Sequence, residues 1–185
     1  MLDASTWVAI AVFSLPHWFY AYVWVRPDLF IAGTKKWAAA HAVTVFASLA
    51  TMFKVLQLIV ILWWAVLHPP VAKEFPSPLS FRFVVCVLAV ILGQILNAAI
   101  YWAIGHDGVY YGIRLGRPVP WYTGFPFHLF GVKIPHPQYL GSSMTICGLA
   151  GLFYTSTTTY LPVIAAFSTV FYVITAIIEE NQFTK

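Results

Sequence analysis

Residues 139–178 run for forty positions without one Asp, Glu, Lys or Arg. A soluble domain of 185 residues cannot hide such a stretch from water. As a single helix it would be about 60 Å long, twice a hydrocarbon core of roughly 30 Å. It must therefore turn back on itself. The best break is "YTSTTTYLP" at 154–162, where hydroxyl and β-branched residues precede Pro162. A helical hairpin over about 138–153 and 160–178 is predicted.

The chain is 61% hydrophobic and 9% charged, which leaves an integral membrane protein as the fitting class. Apolar spans are predicted at about 6–25, 37–67 and 81–104, with "RPDLFIAGTKK" as a short polar loop after the first. The expected fold is an all-α membrane bundle of five segments, three spans and then the hairpin, forming a single domain over 1–185. Charge placement tests that count. Arg26, Lys35, Lys36, Arg114, Arg117, Lys133 and Lys185 fall on one side, and Lys73 and Arg82 on the other. The positive-inside rule then puts segment 105–138 and the C-terminus together in the cytosol. Glu179 and Glu180 are expected on that same face.

The net charge of +4 is scattered beside apolar segments, so anionic headgroups are expected partners and nucleic acid is not. Nothing in the sequence calls for an obligate protein partner. Cys86 and Cys147 lie inside apolar runs and read as small buried residues. The opening "MLDASTWVAIAVFSLP" carries Asp3 and no basic region, which argues against a cleaved signal peptide.

Segment 105–138 is unlike the rest. Gly105, Gly108, Gly112 and Gly116 alternate with His106, Asp107, Tyr110 and Tyr111, a pattern suited to close approach of backbone to a ligand. Gly93, further back in the third span, is equally well read as a helix-packing glycine. His136-Pro137 is an extended dipeptide before a helix start, and an imidazole there can donate a hydrogen bond or act as a base. His128 and His136 lack a third ligand at helical spacing, so no metal is expected. Lys54 in mid-span costs about 2.5–3.5 kcal/mol and calls for an anion, either a lipid phosphate or an internal acid. Gln57, Gln94 and Asn97 can tie helices together. Glu179 and Glu180 are two of only six acidic residues, either a polar stop or carboxylates facing a ligand.

The stretch "GQILNAAIYWAIGHDGVYYGIRLGRPVPWYTGFPF", followed by "PHPQYLGS" and "EENQFT", resembles the phospholipid N-methyltransferases, above all their short plant-type members. Those enzymes convert phosphatidylethanolamine or its mono- and dimethyl forms to phosphatidylcholine with S-adenosylmethionine. The resemblance is strongest over residues 93–143 and includes Lys54 and Gln57. It implies that Ile91-Leu92-Gly93 and Glu179-Glu180 hold the cofactor, with Gly105, Gly108, His136, Tyr139 and Gly141 beside them. Animal members carry Gly-x-Gly where this chain has Ile91-Leu92-Gly93. His136 stands where an Asp or Asn usually precedes Pro137, as in the related isoprenylcysteine carboxyl methyltransferases and sterol reductases.

Methyl transfer is an in-line displacement, so proximity and orientation dominate. The acceptor amine, with a pKa of about 10 like Lys, must first lose a proton; His136, Glu180 and Asp107 are the candidate catalytic groups. A methylated ammonium binds aromatic faces, which Tyr110, Tyr111, Trp121, Tyr122, Phe125 and Tyr139 offer. Lys54, Arg114 or Arg117 would take the lipid phosphate. Cofactor and C-terminus are expected to face the cytosol, from the endoplasmic reticulum membrane if the source is eukaryotic. The rival readings are a prenylcysteine carboxyl methyltransferase, a sterol-type reductase and a non-enzymatic membrane bundle.

Overall fold

The computed structural model describes residues 2–37, 41–120 and 122–183. Six α-helices follow in order: α1 (Ala4–Val25), α2 (Pro27–Trp37), α3 (Ala42–Leu67), α4 (Phe81–Val109), α5 (Pro137–Leu152) and α6 (Leu161–Phe183). Among the described residues, α1, α3, α4 and α6 are long and apolar enough to cross a membrane. Their outer faces are apolar: Val66 is 76% exposed and Trp102 77%, the reverse of a water-soluble surface.

The forty-residue run breaks where expected, between α5 and α6. Thr158 stops the helix by donating its hydroxyl to the Phe153 carbonyl (2.7 Å) and accepting the Thr155 N–H (2.7 Å). These hydroxyls satisfy backbone groups that the end of α5 leaves open. Loop 68–80 and the start of α4 are stitched to this turn. Glu74 accepts the N–H and the hydroxyl of Ser156 (2.6 and 2.8 Å), and Thr157 donates to the Pro69 carbonyl (2.6 Å). Arg82 donates to the carbonyls of Gly151 (2.8 Å) and Tyr154 (2.5 Å).

One expectation needs correction. The loop "RPDLFIAGTKK" is helical, forming α2 up to Trp37, so the second span begins only at Ala42. Its signals are ordinary ones: Pro27 at the first position, Asp28 in the first turn, and Lys35 and Lys36 in the last. The all-α class holds, with one small addition among the described residues. β1 (His128–Leu129) pairs antiparallel with β2 (Val132–Lys133) around Phe130 and Gly131, both at positive φ (49° and 80°). Positive φ at both central residues is the geometry that matches strand twist in a two-residue hairpin.

α4 and α5 pack closely because their seam is made of small residues. A Cβ on Gly141 would stand 2.6 Å from the Gly93 carbonyl, and one on Gly148 2.7 Å from that of Cys86. Side chains at these positions would push the backbones apart. α5 packs on α6, α6 on α1 and α1 on α3, while among the described residues α3 and α4 are not packed along their lengths. α1 carries Pro16, which has no N–H for the helix ladder, and Gln57 on α3 donates to the nearby Phe13 carbonyl (3.1 Å).

Candidate active site

Glu179 lies near the end of α6 and is only 6% exposed. A buried carboxylate must be hydrogen-bonded, and this one is. One oxygen, Oε1, accepts the hydroxyls of both Tyr111 and Tyr139. The other, Oε2, faces His136 Nδ1 at 3.3 Å. The opposite ring nitrogen of His136, Nε2, lies 3.5 Å from Oε1 of Glu180. Glu180 itself reaches outward, its side chain 59% exposed. An imidazolium, with two N–H donors, satisfies both contacts at once; a neutral ring can donate to only one.

The backbone is bent to bring these groups together. Among the described residues, three that are not glycine adopt positive φ: Tyr111 (58°), Phe130 (49°) and His136 (46°). Two of them meet at Glu179. A left-handed backbone costs about 1–3 kcal/mol for such residues and persists where the surroundings hold it. His136 is the N-cap of α5 and stacks its ring flat on that of Tyr139 (5.3 Å between centroids, 4° between planes). Gly105 makes the entry possible from α4. At φ 68° it breaks the helix after residue 104, in a conformation that glycine adopts readily.

Tyr111 stacks on Phe46 (4.9 Å) and meets the edge of Trp24 (4.9 Å). Its phenol is held well above the usual range, by burial first and then by the charge of Glu179. It therefore stays protonated and donates. Trp24 Nε1 donates to the Glu179 backbone carbonyl (3.3 Å). Arg114 grips the Trp24 carbonyl with two donors (3.1 and 2.7 Å) and covers its ring.

A narrow, partly open cleft adjoins this cluster, reaching from Lys54 and Gln57 on α3 to Tyr110, Tyr111 and Tyr139. Lys54 has no ion pair among the described residues. The sequence candidates thus fall into groups. His136, Tyr139, Tyr111, Glu179 and Glu180 meet; Lys54 and Tyr110 line the cleft beside them. Asp107 forms a separate exposed cluster with His106 (3.2 Å) and Arg117 (4.0 Å). Arg114 is engaged with Trp24. Gly93 and Gly141 form the helix seam, and Gly108 lies against the Ile104 side chain. Ile91 and Leu92 point outward, each 49% exposed. Tyr122 meets Trp102 edge-on (5.8 Å), and Trp121 lies outside the described residues. His17, Tyr20, Phe46 and Tyr172 also line the cleft, and sequence reasoning passed over them. His17, a polar residue inside an apolar span, was the available signal.

For S-adenosylmethionine the donor set fits. The cofactor is cationic at its sulfonium and amino group, and Glu180 offers an accessible carboxylate at the rim. Glu179 is already filled by two phenols and an imidazole.

Apolar helices of membrane length, with Glu179, Glu180 and His136 gathered near the end of α6, define an integral membrane protein with a polar site at one end of its bundle. The chain belongs to the phospholipid methyltransferase family, whose model matches residues 81–185. It is 34% identical over 134 residues to the Arabidopsis thaliana protein named phosphatidyl-N-methylethanolamine N-methyltransferase, a match covering 71% of this chain and 70% of that one. It is thus a methyltransferase. No solved structure matches it.

Proposed function

We propose that this enzyme methylates the ethanolamine nitrogen of phosphatidylethanolamine or its mono- and dimethyl derivatives, leading to phosphatidylcholine. The observation that carries the reading is the His136–Glu179–Glu180 constellation behind Tyr111 and Tyr139, which line a cleft that also holds Lys54. S-adenosylmethionine, when bound, supplies an electrophilic methyl group on a sulfonium. Glu180 is the carboxylate placed to hold its positive charge. Glu179 holds Tyr111, Tyr139 and His136 in position.

The substrate ammonium must shed a proton to expose its lone pair. His136 Nε2 is the acceptor, because the resulting imidazolium is flanked by two carboxylates that stabilise it. Lys54 meets the lipid phosphate, and the unpacked side between α3 and α4 is the lipid's lateral entrance. In this reading α5 is the fifth membrane segment. The Glu179 end then faces the cytosol, with Arg26, Lys35, Arg114 and Lys133 beside it. In a eukaryote the membrane is the endoplasmic reticulum.

The test is label transfer by the purified, reconstituted protein. Labelled S-adenosylmethionine is offered with phosphatidylethanolamine, its monomethyl and dimethyl forms, and a prenylcysteine. Label in an aminophospholipid is the expected result; label in the prenylcysteine alone, or in nothing, overturns the reading.

A further inference from the structure

Phe46 and five tyrosines line the cleft, and two of those tyrosines come from helices on either side of it. Tyr20 projects from α1 and Tyr172 from α6, facing Tyr110 and Tyr139. Tyr172 is tilted against Tyr139 (5.4 Å) and receives the edge of His17 (4.4 Å, 89°). Tyr20 meets Tyr111 edge-on (6.3 Å). A cation marks one end, and tyrosines backed by Glu179 mark the other. Lys54 stands about two turns from Phe46 along α3, and Phe46 packs on Tyr111, whose hydroxyl meets Glu179. The cleft therefore runs from a cation to a wall of tyrosine rings, two of which, Tyr111 and Tyr139, donate to the buried Glu179 behind them. That order is complementary to a phosphate followed by an ammonium group.

We propose that Tyr20 and Tyr172 are specificity-determining residues that seat a methylated ammonium headgroup by cation–π contact while Lys54 holds its phosphate. The proposal rests on the phospholipid reading above and names the headgroup pocket for it. Each methyl added to nitrogen removes an N–H that water would solvate, so the rings favour the more methylated forms. Seating against these walls places the nitrogen beside the Tyr111, Tyr139 and Glu179 cluster.

The experiment reads binding, not turnover. Protein purified in a maltoside detergent is titrated calorimetrically with dihexanoylphosphatidylcholine and with its neutral isostere, in which carbon replaces the quaternary nitrogen. Tyr20→Leu and Tyr172→Leu should each weaken the choline ester about 5–30-fold and leave the isostere unchanged. Tyr20→Phe and Tyr172→Phe keep the rings and should bind within about twofold of the parent, which separates cation–π contact from the hydroxyls. Retained S-adenosylmethionine affinity shows that the variants are folded. The proposal falls if the Leu variants weaken both ligands equally or neither, or if the Phe variants lose as much as the Leu variants. A failure of the phospholipid reading is recognised separately, by the absence of label in every aminophospholipid.

Discussion

The two ends of the bundle use their polar residues in opposite ways. Where loop 68–80 and the start of α4 meet the α5–α6 turn, polar side chains bind mostly backbone: Glu74 takes the Ser156 N–H, Arg82 takes two carbonyls, and Thr157 takes a third. Those contacts end helices and join loops, at little cost to backbone conformation. At the other end, side chains bind each other. Glu179, Tyr111, Tyr139 and His136 satisfy one another, and two of the four hold left-handed backbones to do so. The first arrangement serves stability. The second keeps a carboxylate and an imidazole ordered beside a cleft, which is what positioning chemistry needs.

Substitutions should separate the two ends. Glu179→Ala carries the largest effect, since it removes the common acceptor of two phenols and an imidazole. Methyl transfer should fall by at least about 100-fold, with about 1–3 kcal/mol of stability lost for each buried donor left unsatisfied. Activity and thermal unfolding in detergent measure both. Near-parental activity would show the cluster to be ornamental. Arg82→Ala should do the converse, lowering stability by about 1.5–3 kcal/mol through two lost charge-assisted hydrogen bonds. Its affinity for S-adenosylmethionine should match the parent's. Tyr139→Phe should have an intermediate effect: Glu179 keeps Tyr111 and His136 as partners, and a loss of about tenfold in rate with unchanged unfolding temperature is expected.

The smallest effect is an acid one at the stitched end. The Ser156 hydrogen bonds hold the Glu74 carboxyl below its ordinary value of 4.5. A depressed pKa contributes stability above the unfolded value, and that contribution is lost as pH falls through the folded one. Asp3 behaves likewise, lowered by its Ser5 hydrogen bond. Unfolding temperature should therefore begin to drop only below about pH 4.5, and Glu74→Gln should flatten that drop slightly.

Much of the fold was legible in the sequence. The uncharged run fixed the α5–α6 hairpin because hydrocarbon thickness limits helix length, and the third span ends at Gly105 as expected. α2 was hidden because its polar composition resembled a loop, although its terminal charges fit a helix. The β1–β2 hairpin turns on Phe130-Gly131, which is not a strong turn signature. Within the site, the nearness of His136 to the Glu pair followed from topology. The partnership of Glu179 with Tyr111, and of its carbonyl with Trp24, did not. Those contacts join residues 68 and 155 positions apart, and only the packing of α1 against α6 and the turn after α4 creates them.

Equilibrium binding of labelled S-adenosylmethionine to the parent, Glu180→Gln and Glu74→Gln tests most directly that cofactor chemistry belongs to the Glu179 end. Each variant neutralises one carboxylate, at opposite ends of the bundle. Glu180→Gln should weaken binding about tenfold, as loss of one charge-assisted contact implies, while Glu74→Gln binds like the parent. Equal affinity in all three, or a loss confined to Glu74→Gln, would contradict the account.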